Sequence, residues 1–383
     1  MKIKIFLAFF FVVNIVLARE VSVMSYNVEN LFDTVHDEGK DDWEYLPKNT
    51  VGKNDFCSKQ SSRRKKEECL DTNWTDEKLK LKLEQISFVV KSKEPNLPDL
   101  LGLVEVENKN VLTMLGNQLG YKTFEMTESP DKRGVDVALF YKESDDLKKV
   151  SRTEHVVPVD YPTRNILEVR FLIHDKYYLT VFVNHWPSLQ NPDSARVKAA
   201  ETLKKRVDEI LKTNPDESII AMGDFNTIDK CDPHPFKTVL YKDNVLADVY
   251  DFVKSSPKAS EAFKANLKSG TYYYPKDDQW NMLDHFFVNQ NLLSKENAKI
   301  VNESFDIYSN NEMLFEFKRK NYDDKDQSVK IVLVPKRFKP EATTKDKIGF
   351  SDHFPIFVKL NFEKPAPVKV ETKKEKTKSK KKK

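Results

Sequence analysis

The feature that most constrains this chain is a pattern in which apolar, strand-like runs end in carboxylate, carboxamide or imidazole side chains. A single such cluster is ordinarily a turn or a solvated charge. Side chains at strand ends on one rim of a sheet converge in space, so six clusters together predict one shared site. The polar pairs at these run ends are Asn27 and Glu29, Glu105 and Glu107, Asn184 and His185, Asp224 and Asn226, Asp284 and His285, and Asp352 and His353.

Strands outnumber helices in the pattern, and several strands follow one another without a crossover helix. This order favours an α/β fold with mixed sheets covered by helices over a purely parallel, doubly wound sheet. Helical spacing predicts helices over about 76–92, 111–119 and 194–213. Short β-rich runs predict strands at 21–27, 100–106, 135–141, 166–173, 177–183, 218–222, 282–288, 331–334 and 355–360.

The chemistry of the clustered side chains points to a hard divalent cation. Asp, Glu and Asn oxygens suit Mg²⁺ or Mn²⁺. Hydrolysis of an anionic phosphodiester needs charge neutralisation, an oriented water and a protonated leaving group. Histidine can serve as base, acid or hydrogen-bond donor in such a reaction. The sequence therefore predicts a metal-dependent phosphodiesterase.

A family resemblance runs in order from residue 21 to about 360. The chain resembles the endonuclease/exonuclease/phosphatase, or deoxyribonuclease I-like, superfamily, and its first and fourth matching segments look like the bacterial exported branch. The resemblance implies a four-layer α/β sandwich, with two mixed sheets face to face and helices outside. The matching segments are SYNVENLFDT (25–34), PDLLGLVEVEN (98–108), SPDKRGVDVALFY (129–141), FVNHWPS (182–188), MGDFN (222–226), NMLDHFFV (281–288) and GFSDHFPIFV (349–358).

The resemblance also implies a metal site built from three residues. Glu105 is the principal carboxylate, Asp352 is a second ligand, and Asn27 helps to place the metal or its waters. The expected cation is Mg²⁺, with Mn²⁺ as the alternative.

Five further residues receive catalytic roles by the same matching of motifs. His353 is expected to contact the scissile phosphate as base or electrostatic stabiliser, and Asp284 to orient it, since a carboxylate partner fixes the imidazole tautomer. Asp224 and Asn226 are expected to orient the attacking water and bind phosphate oxygens. His185 matches the position of the leaving-group acid.

Several polar residues near the motifs have two interpretations each. Arg133 and Arg164 are either phosphate contacts, since guanidinium binds phosphate bidentately, or members of surface ion pairs. Asp136 pairs with either His185 or Arg133.

Six more positions next to the motifs are assigned with less support from spacing. Glu107 shares a face with Glu105 and is expected behind the metal site, while His285 is expected to be structural. The aromatic residues 272–274 and Trp280 either stack on nucleobases or pack against the fold.

The amino terminus has the pattern of a signal peptide over residues 1–18. Lys2 and Lys4 precede an apolar run at 5–17, and Ala18 stands before a polar residue. The alternative is a membrane anchor, but the run is shorter than the roughly 20 residues needed to span a bilayer. We therefore expect export to the periplasm or the medium, without stable membrane insertion.

Export bears on the three cysteines. Cys57 and Cys69 lie in a polar, loop-like insert at 34–75, and oxidising surroundings favour their pairing. Cys231 then remains as a small buried thiol.

Charge is distributed unevenly along the chain. Residues 364–383 contain ten lysines and two glutamates, a net charge of +8, whereas residues 19–363 carry −6. We assign 19–363 to the catalytic domain and 364–383 to a disordered tail that either holds an anionic polymer or is simply solvated. The segment 301–347 has no assigned role.

Three classes of function compete on these observations. The favoured one is an exported, metal-dependent nuclease that acts as a monomer on DNA, with RNA as a second substrate.

 
The second is a phosphoinositide phosphatase or sphingomyelinase-type phospholipase C of the same fold, and the third is a binding module that has lost catalysis. A lipid-directed enzyme would show an exposed apolar hairpin, and no run of Trp or Phe between polar flanks is present. A binding module would lack some of the metal and imidazole positions, and all of them are filled.

Overall fold

The structure is a computed structural model that describes residues 18–295, 298–320, 329–342 and 345–364. The predicted signal peptide and the lysine-rich tail lie outside these residues, apart from Ala18 and Lys364. Within the described ranges, no helix has both the length and the apolar character needed to cross a bilayer.

The described residues form strands and helices in an irregular order. The strands are β1 (Ala18–Leu31), β2 (Leu100–Val106), β3 (Thr123–Met126), β4 (Asp136–Tyr141), β5 (Leu147–His155), β6 (Ile166–Ile173), β7 (Tyr177–His185), β8 (Ser218–Asp224), β9 (Leu246–Asp248), β10 (Tyr272–Tyr274), β11 (Gln279–Asn281), β12 (Asp284–Asn289), β13 (Ala298–Ile300), β14 (Asp306–Ile307), β15 (Leu314–Lys320), β16 (Val329–Pro335) and β17 (Ile356–Glu363). The α-helices are α1 (Lys53–Ser58), α2 (Arg63–Asp71), α3 (Asp76–Lys93), α4 (Lys109–Leu119), α5 (Asp193–Thr213), α6 (Val249–Ser255), α7 (Glu261–Asn266), α8 (Gln290–Ser294) and α9 (Lys345–Ile348). Short 3₁₀ turns lie at Trp43–Tyr45, Lys242–Asn244 and Asn311–Met313, and a π-helical turn lies at Phe236–Leu240.

Two large mixed sheets form the body of the protein, as the sequence predicted. The first has the order β13-β17-β1-β2-β4-β3, with β14 also paired to β17, and the second has the order β5-β6-β7-β8-β12-β9. Each sheet contains one parallel pair, β1 with β2 and β7 with β8, among antiparallel neighbours. Two separate hairpins, β10–β11 and β15–β16, stand outside the sheets.

The sheets pack face to face around the main hydrophobic core. Gly102 in β2 lies against Met222 in β8 so closely that an added Cβ would come within 2.7 Å of the methionine methyl group. Helix α3 covers the first sheet through Leu83 and Ile86, and helix α5 covers the second through Leu203. The layers are therefore helix, sheet, sheet and helix, which confirms the four-layer α/β sandwich.

The insert at 34–75 is more ordered than the loop-like segment that its polar composition predicted. It contains the 3₁₀ turn at Trp43–Tyr45 and the helices α1 and α2. A disulfide joins Cys57 in α1 to Cys69 in α2, which confirms the predicted pairing, and Cys231 is a free, buried thiol as expected. The helices were missed because their exposed faces are almost entirely charged.

Candidate active site

The carboxyl-terminal ends of the two parallel strand pairs meet at one edge of the sandwich and open onto a cleft of about 890 Å³. All ten predicted site residues come together there. Asn27 and Asp284 lie beneath the cleft floor, each one hydrogen bond from a residue that lines it. The lining residues among the ten are Glu105, Arg133, Arg164, His185, Asp224, Asn226, Asp352 and His353.

Two carboxylates and an amide are the candidate donors for a cation. Glu105 and Asp352 both line the cleft, and Asn27 donates its Nδ2 to Asp224 Oδ2 at 3.1 Å beside them. In the described part of the chain, no three His, Cys, Asp or Glu side chains form a complete ligand group. Mg²⁺, the cation expected from the sequence, usually keeps several waters and binds through one or two carboxylates plus substrate phosphate.

Glu105 owes its position to a break in the strand. The register of β2 against β4 passes from Val104 to Val106 and leaves Glu105 unpaired, with a φ of 66°. A positive φ is uncommon for a residue with a side chain and often marks a functional position. The break also corrects the expectation for Glu107, which lies on a separate network and accepts from the backbone N–H of Asp33 at 2.8 Å.

His353 is held by a buried carboxylate, in agreement with the geometry expected from the motif. Its Nδ1 lies 2.7 Å from Asp284 Oδ2, and its Nε2 faces Asp224 Oδ2 at 3.9 Å and Asp352 Oδ1 at 4.0 Å. Burial by itself would lower the pKa of His353, but the neighbouring carboxylates, with Asp284 first among them, raise it well above its usual value. The neighbouring carboxylates therefore favour the protonated form of the imidazole.

The Gly-Asp-Phe-Asn turn after β8 depends on its glycine. Gly223 has a φ of 130°, and a Cβ there would lie 2.0 Å from the carbonyl oxygen of Asn184 in β7. The close approach lets Asp224 Oδ1 accept the backbone N–H of Asn226 at 2.8 Å. Burial raises the pKa of Asp224 to about 7, against the opposing charge of His353.

His185 lies in the cleft wall with its Nε2 3.8 Å from Glu105 Oε1, and its buried Nδ1 has no hydrogen-bond partner. Burial lowers the pKa of His185 well below its usual value, and the charges of Arg164 and Arg133 add to this. His185 and His353 are therefore driven to opposite protonation states by their surroundings, a pattern typical of acid and base pairs.

Asp136 forms neither of the two pairs that the sequence suggested. Its Oδ1 accepts the backbone N–H of Ser129 at 2.9 Å, the Ser129 hydroxyl, and the Thr127 hydroxyl at 2.5 Å. Among the described residues it has no ion pair with His185 or Arg133 within 4.0 Å. Nearby hydroxyl and N–H donors satisfy the carboxylate, so it positions the loop that precedes β4.

The two candidate phosphate-binding arginines differ in their exposure and in how firmly hydrogen bonds hold them. Arg164 is buried and donates to Asp131 Oδ2 at 3.0 Å and to the carbonyl oxygen of Trp186 at 2.6 Å, while its Nε has no partner. Arg133 is 52% exposed, and its Nε lies 3.7 Å from Asp131 Oδ1. Arg133 is thus the guanidinium free to turn toward a ligand, and Asp131 anchors both.

A second group of charges under the cleft was not assigned from the sequence. Arg337 and the backbone N–H of Phe338 both donate to the Glu29 carboxylate, the latter at 3.0 Å. Lys82, in the buried face of α3, donates to the carbonyl oxygen of Phe350 at 3.0 Å. Burial lowers the pKa of Lys82 to about 8, with Glu29 and Asp352 opposing the shift. A lysine inside the apolar stripe of a helix was the one sequence signal for it.

The aromatic residues near the cleft divide between packing and exposure. Trp280 stacks on Phe354 with ring centroids 5.8 Å apart, so it belongs to the packing of the fold. Tyr272 lies 5.0 Å from the His353 ring, and Tyr274 is 38% exposed on the cleft wall. His285, the predicted structural histidine, is held between Asp248 Oδ2 at 2.6 Å and the carbonyl oxygen of Met282 at 2.9 Å.

The class that this fold and cleft define is the two-sheet α/β sandwich with a carboxylate and imidazole site at one edge. The family model for the Endonuclease/Exonuclease/phosphatase family matches residues 22–362, and the chain belongs to this family. Enzymes of the family hydrolyse phosphate esters and typically use divalent metal ions. No curated protein matches the chain.

Solved structures share the fold at low sequence identity. An endonuclease/exonuclease/phosphatase family protein from Bacteroides thetaiotaomicron is 16% identical, with a TM-score of 0.50 over 91% of this chain and 99% of its own. A mannosyl-6-phosphatase from the same organism is 15% identical, with a TM-score of 0.51 over 89% and 99%. Truncated TDP2 from Caenorhabditis elegans is 14% identical, with a TM-score of 0.51 over 90% and 97%.

Proposed function

We propose that this chain is a metal-dependent phosphodiesterase that cleaves nucleic acid, DNA in the first place and RNA in the second. The observation that carries the proposal is the buried Asp284–His353 pair opening onto the same cleft as Glu105 and the exposed Arg133. We also propose that it acts outside the cytoplasm. The Cys57–Cys69 disulfide supports this, because disulfides persist mainly in oxidising compartments.

The residues divide the chemistry of diester hydrolysis among them. A divalent cation held by Glu105 and Asp352 would neutralise part of the phosphate charge. Protonated His353 donates to a phosphoryl oxygen, and Asp224 accepts a hydrogen bond from the attacking water. The negative charge of a bound phosphate raises the pKa of His185, so that this side chain takes up a proton and, as imidazolium, donates it to the leaving oxygen.

The rim of the cleft favours a polyanion over a small neutral ester. Lys65, Lys132, Arg133 and Lys230 line the cleft, although residues 19–363 carry a net charge of −6. A cleft with cations concentrated on it raises the local concentration of an anionic substrate. A nucleic acid presents phosphates on both sides of the one that is cut, so it can use such a rim.

One observation favours a lipid substrate as the second candidate. The hairpin β15–β16 exposes Val329, Ile331 and Leu333 to more than half of their surface. This corrects the expectation that an exposed apolar hairpin is absent. That expectation rested on the lack of a run of Trp or Phe, whereas the exposed residues here are aliphatic. Exposed apolar patches often mark protein or membrane contacts. The sphingomyelinase-type reaction is therefore the second candidate, and sphingomyelin is one of the substrates tested.

The test is to incubate purified protein with plasmid, single-stranded oligonucleotides, sphingomyelin vesicles, phosphoinositides and a phosphomonoester, each with Mg²⁺ and with excess chelator. We expect cleavage of nucleic acid that stops with chelator and returns when Mg²⁺ is restored. Hydrolysis of a lipid or a monoester without cleavage of nucleic acid would contradict the proposal.

A pair of arginine variants tests the role of the rim. Arg133→Ala should raise KM for plasmid while leaving hydrolysis of bis(4-nitrophenyl) phosphate nearly unchanged, because the small diester has no flanking phosphates. Arg63→Ala is the matched control, since Arg63 is 90% exposed, pairs with Glu67 and does not line the cleft. Equal effects of the two substitutions would show that only overall charge matters.

A further inference from the structure

A second cavity, of about 1120 Å³, lies beside the catalytic cleft. It follows the length of β15, from Leu314 to Lys318, and is closed on the other side by the strand β10. Tyr272 and Asp352 line both this cavity and the cleft. The cavity is therefore continuous with the place where the scissile phosphate would bind.

Aromatic rings line this cavity close to its entrance. Phe315 is 46% exposed, and Phe317 packs on Tyr273 with ring centroids 5.7 Å apart. The ammonium group of Lys339 lies 5.3 Å from the centre of the Phe315 ring. Surfaces that bind single-stranded nucleic acid combine exposed aromatic rings for base stacking with cations along the backbone.

The charge of the cavity is opposite to that of the surrounding domain. Lys318, Lys339 and Lys347 line it, whereas residues 19–363 as a whole carry −6. Arg337 also lines the cavity but is paired with Glu29. The cavity thus offers positive charge next to an exposed ring, which complements a polyanion that carries free bases.

We propose that this cavity binds a single-stranded segment of the substrate on one side of the scissile phosphate, with a base stacked on Phe315 and phosphates near Lys339 and Lys347. The proposal rests on the proposed function as a nuclease. In a duplex the faces of the bases are covered by their own stack, so an exposed ring selects single strands, overhangs or frayed ends.

The two faces of the hairpin carry different side chains, so nucleic-acid binding and membrane binding can be tested separately. Phe315 is opposite Val334, and Leu333 is opposite Glu316, so Phe315 and Leu333 point to opposite faces of the two-stranded sheet. The aliphatic residues Val329, Ile331 and Leu333 do not line the cavity. A substitution on one face therefore leaves the other intact.

The experiment measures binding of a fluorescein-labelled single-stranded oligonucleotide by fluorescence anisotropy, with Ca²⁺ in place of Mg²⁺, for wild type, Phe315→Ala, Phe315→Tyr and Leu333→Ala. Loss of one stacked base should weaken binding by roughly 5- to 150-fold in Phe315→Ala. Phe315→Tyr keeps the ring and should bind as wild type does, and so should Leu333→Ala. Hydrolysis of bis(4-nitrophenyl) phosphate with Mg²⁺ should be unchanged in all three.

The lysines provide a second measurement that does not depend on Phe315. In Lys339→Ala with Lys347→Ala, the slope of log affinity against log salt should become shallower by about 0.7 for each lost phosphate contact. Wild-type binding by Phe315→Ala would overturn the proposal, and so would an unchanged slope in the lysine variant. Equal losses in Phe315→Ala and Leu333→Ala would also overturn it, because the effect would then belong to the hairpin as a whole.

Two further outcomes distinguish this proposal from the proposed function. If wild type cleaves nucleic acid and Phe315→Ala binds it normally, the nuclease function stands and the cavity proposal fails. If wild type hydrolyses the small diester but neither binds nor cleaves nucleic acid, both fail. In that case, adsorption to phosphatidylglycerol vesicles that Leu333→Ala abolishes would identify the hairpin as a membrane contact.

Discussion

Replacing Asp284 by Asn tests the buried Asp284–His353 pair, on which the proposed mechanism depends. Asp284 Oδ2 lies 2.7 Å from His353 Nδ1, and both side chains are buried. The other oxygen of Asp284 is buried without a hydrogen-bond partner, so His353 is the side chain that hydrogen-bonds this carboxylate among the described residues. Asn has the same shape and can still accept from Nδ1, and the substitution therefore removes charge with little change in geometry.

The expected loss follows from the strength of that contact. A hydrogen bond to a charged group contributes about 1.5–3 kcal/mol. If this contribution is expressed in the transition state, where a protonated His353 faces the phosphate, kcat/KM should fall by roughly 10- to 150-fold. The fold should survive, because the carboxamide fills the space of the carboxylate.

The assay is steady-state hydrolysis of bis(4-nitrophenyl) phosphate with saturating Mg²⁺, with thermal unfolding of each variant measured beside it. Asp248→Asn is a matched control, because Asp248 and His285 form a second buried pair 2.6 Å apart that does not line the cleft. It should affect stability and leave kcat/KM within about twofold. If Asp284→Asn keeps wild-type kcat/KM, or if Asp248→Asn loses as much activity, the reasoning about His353 is refuted.

Three other predictions concern the metal, a charged network and the disulfide. Glu105→Gln should lower turnover by orders of magnitude while circular dichroism stays unchanged, and full activity in this variant or with excess chelator would exclude the metal mechanism. Burial alone would raise the pKa of Glu168, but hydrogen bonds from Arg206 and His155 lower it to about 2, from 4.5 in a free side chain. Because the folded-state pKa is the lower one, the stabilisation is present above about pH 4.5 and is lost as the pH falls toward 2. The shift corresponds to about 3 kcal/mol. Glu168→Gln should therefore lower the unfolding free energy at pH 7 by about that amount, and a difference from wild type that stays constant down to pH 2 would count against it. Cys57→Ala with Cys69→Ala should lower the unfolding free energy by about 3 kcal/mol, the chain-entropy value for a loop of this length, and urea unfolding that matches wild type would contradict it.

The sandwich was predictable because its strands are simple in sequence. The predicted strands at 100–106 and 166–173 match β2 and β6, since each consists mostly of apolar residues that are buried in the core. The helix predicted over about 76–92 matches α3 for the same reason, with apolar residues at helical spacing. Local patterns were sufficient here because burial of an apolar face decides both the type and the limits of these elements.

The hairpin β15–β16 was harder to predict, and only part of β16 was recognised as a strand. Its outer face carries Val329, Ile331 and Leu333 in contact with water, so apolar residues there do not indicate the core. Its inner face meets Tyr273 and Asp278, which lie about 40 residues earlier in the chain. A pattern read along the sequence cannot show which of two alternating faces will be covered by a distant segment.

The candidate site was predictable in its membership and less so in its geometry. Every polar pair at a strand end that was assigned a catalytic or metal-binding role lies at the same edge of the sandwich. The positive φ of Glu105 and of Asn226 has no marker in the sequence, because neither residue is a glycine. Asp136 was expected to pair with His185 or Arg133, whereas the hydroxyl groups of Ser129 and Thr127, 7 and 9 residues away in the chain, satisfy it.

The unassigned charges under the cleft explain how the loop before β17 is held in place. Lys82 donates to the carbonyl oxygen of Phe350, and Gln85, one turn further along α3, donates to that of Gly349 at 2.9 Å. Gly349 and Phe350 come just before Asp352 and His353 in the chain, with only Ser351 between them. Buried polar groups are destabilising unless they are hydrogen-bonded. A movement of the loop that broke these two bonds would leave Lys82 and Gln85 buried without partners, so it is disfavoured. The helix that covers the first sheet thereby fixes the position of the residues that would bind metal and phosphate, across more than 260 residues of sequence.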